Sequence, residues 1–182
     1  KKLIELEYIR KHSLYQECYI RLQKAEEGRK FCRHTMEHFI DVARIAWILN
    51  LEQDFRIPKP VIYGMALLHD IGKYRQYEEG YPHEKASVEI AKIIFRDLPE
   101  LSFTEEEKQG ILTAIQNHRV QQNVCIDQEK NTNLSDILSW LLYTADKKSR
   151  ACYSCLAEKE CNWTIEKKNM EIWQWSWRLF PT

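Results

Sequence analysis

The sequence predicts an all-α domain. Apolar residues recur at helical spacing through most of the chain. Proline, glycine and capping side chains punctuate those runs. There is no succession of alternating strands joined by Gly-rich β-turns.

The elements follow in order. Residues 3–26 carry Leu3, Ile4, Leu6, Tyr8, Ile9, Leu14, Tyr19, Ile20 and Leu22 as an apolar stripe on a charged background, read as one N-terminal helix that Gly28 breaks. Residues 34–51 place Phe39, Val42, Ile45, Ala46 and Leu49 on one helical face. RIPKP (56–60) is a loop whose prolines suit a helix start. Residues 60–70 are almost wholly apolar, so that helix is central and buried. YEEGYP (77–82) reads as a turn-rich loop, and 84–97 as a helix ended by DLPE. Thr104 with Glu107 has the form of a capping box before a helix that runs to about His118. Residues 119–133 are polar and loop-like; a last helix spans 134–148, capped by Asn133 or Ser135. In the tail, Trp163, Trp173, Trp175 and Trp177 pack onto the body, the last three as a short strand or a helical turn.

With 182 residues the chain has room for one domain and a proper core. The reading divides it into an N-terminal helix (1–29), a main domain (30–150) and a Cys/Trp-rich C-terminal segment (151–182). Lys plus Arg (27) balances Asp plus Glu (27), which argues against a nucleic-acid polymer or membrane surface as partner. No apolar stretch approaches the roughly 18 residues a spanning helix needs. The charged N-terminus is unlike an export signal, so the six cysteines are expected reduced, in the cytoplasm. The composition carries no signal for an oligomeric state.

Ligand-type residues recur at the ends of successive helices. His38 lies in HFIDVAR, His69 and Asp70 in ALLHDIGKY, His83 after Pro82, His118 in AIQNHR and Asp146 in LLYTADKKSR. Imidazole with carboxylate suits Fe, Mn, Zn or Ni. Four histidines and two carboxylates exceed one tetrahedral zinc and suit two ions, with Asp70 the best bridge because His69 adjoins it. Two ions close together can polarise a phosphate and activate water for in-line attack. Asp70 and Lys73 are the expected catalytic residues, Lys73 as a point charge on a phosphoryl oxygen. Gly72 is expected to let the backbone turn away from the metals.

The set HFIDVA, ALLHDIGKY, PHEKAS, NHR and TADKKSR resembles the HD-domain metal-dependent phosphohydrolase superfamily over roughly residues 30–150. The resemblance implies a helical bundle in which His38, His69, Asp70 and Asp146 hold one ion, and Asp70, His83 and His118 the second. The extra His83 and His118 are similar to the two-metal branches, which include symmetrical dinucleoside-tetraphosphate hydrolases and cyclic-dinucleotide phosphodiesterases. It implies two divalent ions, iron foremost, with manganese, zinc or nickel as other fits. The substrate is then a small phosphate compound, a nucleotide or dinucleotide ester or anhydride. Two rivals stand beside this reading: a di-iron oxygenase, and a metal- or nucleotide-sensing module without turnover.

Other motifs are weaker. HTMEH (34–38) has the inverted zinc-protease spacing, but that reading leaves the remaining ligand-type residues idle. His34 lies one turn before His38 and is expected to orient a ligand or touch substrate. Arg119 and Lys147 adjoin ligand positions and join Lys73 as phosphate-binding candidates, whereas some of Arg44, Lys148 and Arg150 read as solvated charges. Gly80-Tyr81-Pro82 copies a signature of HD-type cyclic-dinucleotide phosphodiesterases at the wrong place and reads as coincidence. His12 reads as an ordinary satisfied histidine, and Cys18 and Cys125 as packing residues. Cys152-x2-Cys155-x5-Cys161 could bind a structural zinc or an iron–sulfur cluster, with Cys32 as a fourth thiol if the chain folds back.

Overall fold

The computed structural model describes residues 3–100, 102–120, 133–170 and 172. Among them are eight α-helices and no strand: α1 (Ile4–Lys11), α2 (Ser13–Ala25), α3 (Met36–Glu52), α4 (Lys59–Leu68), α5 (Lys73–Glu79), α6 (His83–Asp97), α7 (Glu105–Asn117) and α8 (Leu134–Lys148). Short 3-10 turns follow at Cys152–Ser154, Glu158–Glu160 and Ile165–Lys167. The all-α class expected from periodicity is the observed one. Trp173, Trp175, Trp177 and Cys125 lie outside the described residues.

Two local expectations are corrected. Residues 3–26 are not one helix, because His12 adopts an extended backbone (φ −62°, ψ 130°) that ends α1 and starts α2. Its Nδ1 accepts the Leu14 N–H at 3.2 Å, and its Nε2 lies 3.3 Å from Asp97 at the end of α6. The ring therefore caps one helix and ties it to another. The YEEGYP stretch is helical in its first half: α5 runs to Glu79, and Gly80 closes it in the left-handed region at φ 69°. Turn-forming residues here end a helix instead of making a loop.

The capping signals act as read. Thr104 and Glu107 complete a capping box at α7. Asn133, not Ser135, caps α8, its Oδ1 accepting the Asp136 N–H at 2.9 Å.

The core is one continuous cluster that includes Phe39, Val42 and Ala46 of α3, Ile62 and Met65 of α4, Ile111 and Ile115 of α7, and Leu138 and Leu142 of α8. α4 is buried from Val61 to Leu68 apart from Tyr63, as its unbroken apolar run requires. α3 packs on α4 and α8, and α7 packs on α6 and α8. α1 brings Ile9 onto α4 beside Gly64. Removing this apolar surface from water drives the assembly and fixes the helix ends in space.

Gly72 works differently from the expectation. The backbone does turn there, but at φ −89°, which any residue can adopt. The need for glycine is spatial. A Cβ at Gly72 would lie 2.4 Å from the Ser87 nitrogen and 2.6 Å from the Ala86 carbonyl carbon. The segment after Asp70 is thereby pressed onto α6, the helix that begins with His83.

Candidate metal centre

Helix ends build the site. His38 lies in the first turn of α3. His69 ends α4, with Asp70 next to it. His83 opens α6, His118 ends α7, and Asp146 lies in the last turn of α8. All six side chains are buried, His69 completely.

Asp70 faces two ways. Its Oδ2 lies 3.2 Å from His69 Nε2. Its Oδ1 lies 3.2 Å from His83 Nε2 and 3.5 Å from His118 Nε2. On the first side, Asp146 Oδ1 is 3.5 Å from His38 Nε2 and 4.0 Å from His69 Nε2. Two groups result, His38–His69–Asp70–Asp146 and Asp70–His83–His118, each with its ligand atoms within 4.8 Å of one another. They share Asp70.

Backbone carbonyls orient two of the rings. His69 Nδ1–H donates to Ala66 O at 2.7 Å, and His118 Nδ1–H to Ile115 O at 2.6 Å. Each is the carbonyl three residues back, so helix geometry itself turns Nε2 toward the centre. Ser149 Oγ lies 3.2 Å from His38 Nδ1. Gln76 and Lys73 flank Nδ1 of His83.

The protonation states fit cation binding. Burial would raise the Asp70 carboxyl, but His69 and His34 hold it well below the usual range. Burial likewise opposes ionisation of Asp146, and Lys147 and Arg150 more than offset it. Burial, reinforced by Arg150, lowers His38 to about 2. Burial lowers His83 to about 3 although Asp70 opposes the shift. Ionised carboxylates beside the neutral imidazoles of His38 and His83 are the state that ligation demands, whereas His69 is raised, Asp70 outweighing its burial, and must give up that proton to a cation. His69 Nε2 and Asp70 Oδ1 are moreover buried with no hydrogen-bond partner. Such orphaned groups cost about 1–3 kcal/mol each, and a cation between them would satisfy both. The donor set therefore fits divalent metal, with iron, manganese, zinc and nickel all compatible.

Three supporting residues escaped the sequence reading. Glu26 is wholly buried, accepting the His34 backbone N–H at 2.6 Å and the Tyr77 hydroxyl at 2.8 Å, with His34 Nδ1 at 2.5 Å. His34 Nε2 in turn lies 3.2 Å from Asp70 Oδ2. Ser149 is the second, already described beside His38. Arg150, read with the solvated charges, is buried, its Nη2 3.0 Å from His38 Nε2 and 3.5 Å from Asp146 Oδ1. In QKAEEGRK and KKSR, Glu26 and Arg150 look like surface charge; only the folded-back chain buries them.

Beside the two ligand groups lies a cavity of about 210 Å³. Lys73, Arg119, Lys147, Arg150 and Lys167 line it with positive charge, and Tyr143 and Trp163 with aromatic rings. Lys73 is part-buried, which lowers its ammonium pKa. Lys147 Nζ lies 2.6 Å from Asp146. Arg119 is half exposed and pairs with Glu84 at 3.3 Å. Arg44 is exposed and pairs with Asp41. HTMEH does not assemble as a protease motif: Glu37 is exposed, and His34 faces Glu26 and Asp70.

The HD domain family model matches residues 35–159. A relative from Clostridium beijerinckii, described as an uncharacterized protein, is 46% identical over 153 residues, covering 84% of this chain and 88% of its own length. No solved structure gives a significant match.

Proposed function

The chain belongs to the HD domain family, and from that premise we propose that it is a binuclear metal-dependent phosphohydrolase acting on a nucleotide or dinucleotide phosphate ester or anhydride. The observation that carries this reading is the two-faced Asp70 carboxylate, one oxygen toward His69 and the other toward His83 and His118. A bridging carboxylate makes sense where two cations sit close together. Two divalent ions, when bound, supply Lewis-acid polarisation of the phosphoryl group and an activated water.

The chain's own residues do the rest. His38, His69 and Asp146 complete the first ligand set with Asp70, and His83 and His118 the second. Lys73, Lys147 and Arg150 surround the cavity with donors that meet phosphoryl oxygens, Arg150 with two-pronged geometry and the lysines as point charges. Tyr143 and Trp163 line the same cavity, with Lys147 Nζ 5.1 and 5.3 Å from their ring centroids, and supply apolar surface for a base. His34, held at Nδ1 by Glu26, presents Nε2 to the Asp70 side of the cavity, where it can hold or pass a proton. Arg119, half exposed and paired with Glu84, contributes at the rim.

The test is phosphate release from mono-, di- and triphosphates and dinucleoside polyphosphates after loading with iron, manganese, zinc or nickel in turn. Metal-dependent release that Asp70→Ala abolishes is expected. Oxygen consumption without phosphate release would replace hydrolysis by oxidative chemistry, and stoichiometric metal binding with neither would point to a sensing module.

A further inference from the structure

The proposed hydrolysis makes no use of four thiols. Cys32, in the loop between α2 and α3, and Cys152, Cys155 and Cys161, after α8, line one cavity of about 450 Å³. His34, Lys73, Arg150 and Trp163 are common to this cavity and the one beside the metal ligands. The fourth thiol is therefore present where the chain folds back.

Several contacts hold the two segments together. Lys30 pairs with Glu160. Arg150 Nη1 donates to the Arg33 carbonyl at 3.2 Å. Within the α2–α3 loop itself, Arg29 Nε donates to the Cys32 carbonyl at 3.0 Å. On the other side, tight turns wrap the loop around its sulfurs: Cys155 N–H donates to Cys152 O and Cys161 N–H to Glu158 O, both at 3.2 Å. Asn169 Nδ2 bonds the Lys148 and Arg150 carbonyls, and the Tyr153 N–H donates to Asn169 O.

Among the described residues after Arg150 the buried apolar ones are Cys152 and Ala157, while Leu156, Ile165 and Ile172 are exposed. A stretch with so little apolar burial commonly depends on disulfides or metal, and these four cysteines are free. Arg29 and Arg150 line the cavity and would balance the charge of thiolates, while Lys168 there is engaged by Glu158 at 2.6 Å. Spacing separates the two metal chemistries. Among the described residues, the groups of three or more ligand atoms that lie within 4.8 Å of one another are the two His/Asp sets, so no three of the four sulfurs are gathered that closely. Four sulfurs around a single zinc, with bonds near 2.3 Å, lie only about 3.8 Å apart. A polynuclear cluster places several irons between them and holds them farther apart.

We propose that Cys32, Cys152, Cys155 and Cys161, gathered in one cavity beside the His/Asp centre, ligate an iron–sulfur cluster that staples the C-terminal segment to the α2–α3 loop. The full chain, purified without oxygen and reconstituted with ferrous iron and sulfide, should hold at least about two acid-labile sulfides and show visible thiolate-to-iron absorption. Asp70→Ala should keep the sulfide, since iron at the His/Asp centre brings none. Cys155→Ser or Cys161→Ser should lose it, and Cys18→Ser should not. Zinc bound one to one without sulfide, or sulfide retained in both cluster variants, overturns the proposal. If those variants fail to fold, the sulfide content of the unaltered chain decides: its absence overturns the cluster.

Discussion

Gly72 and Ser87 are in direct contact: the Gly72 N–H donates to Ser87 Oγ at 3.0 Å, and a Cβ on Gly72 would meet the Ser87 nitrogen at 2.4 Å. Since backbone, not a flexible side-chain tip, blocks the space, α5 and α6 must part to admit even a methyl. Gly72→Ala should destabilise the protein by about 1–3 kcal/mol, read by chemical unfolding, and weaken metal retention because Asp70 and His83 move apart. Gly64→Ala meets a Phe103 ring atom at 3.3 Å and should be milder. An equal loss in both variants would show that the contact with α6 is not special.

Metal content should divide along Asp70. The unaltered chain is expected to hold two His/Asp-bound ions, and His118→Ala one. Asp70→Ala should retain less than one and lose activity by about 100-fold or more. Elemental analysis of thiol-independent metal checks this; two ions retained in Asp70→Ala would remove it as a bridge.

Acid should unfold the metal-stripped protein early. His38 and His83 have folded values of about 2 and about 3, against about 6.5 in an unfolded chain. Between those limits the unfolded state binds more protons, so stability rises with pH, by up to about 1.4 kcal/mol per pH unit for each histidine. The depressed carboxyls of Asp70 and Asp146 extend the loss at still lower pH. His69 is raised because Asp70 outweighs its burial; it is protonated in both states below the unfolded value, so it does not cancel the trend there. Thermal unfolding from pH 4 to 6.5 should show a slope that flattens in His83→Asn.

Glu26 should act through His34. Glu26→Gln keeps the shape but removes the charge facing His34 Nδ1. A fall in kcat of about 10–100-fold with a displaced pH profile is expected, while Tyr77→Phe, which loses one neutral donor to the same carboxylate, costs far less. An unmoved pH profile in Glu26→Gln would reduce the pair to structural support.

Lys73→Met should raise KM for phosphorylated substrates by about tenfold, equivalent to one charge-assisted contact. Arg119→Met, at the exposed rim and already engaged by Glu84, should change it little. Equal effects would move the phosphate site outward.

The six ligand-type residues were legible because each ends or begins an element whose apolar face could be read from spacing, and helix ends are fixed by core packing. The structure does gather them. Capping at Thr104 was legible for the same local reason. The break at His12 was not, since histidine has no strong breaking signal and its role depends on Asp97, far away in the sequence. Glu26 and Arg150 were hidden by their charged neighbours. Their burial arises from the fold-back of residues 26–35, a non-local event that no periodicity records. Gly72 was noticed, but its partner on α6 could not be seen in one dimension.

The donors also carry a kinetic consequence. Arg150 and His38 touch although 112 positions separate them, and Asp146 reaches the same pocket from α8. Contacts of such high sequence separation close large loops and form slowly. The four-residue group is thus incomplete in any partly collapsed chain that lacks a docked α8, whereas Asp70, His83 and His118 can meet without it, so the two cation positions are expected to mature at different stages of folding.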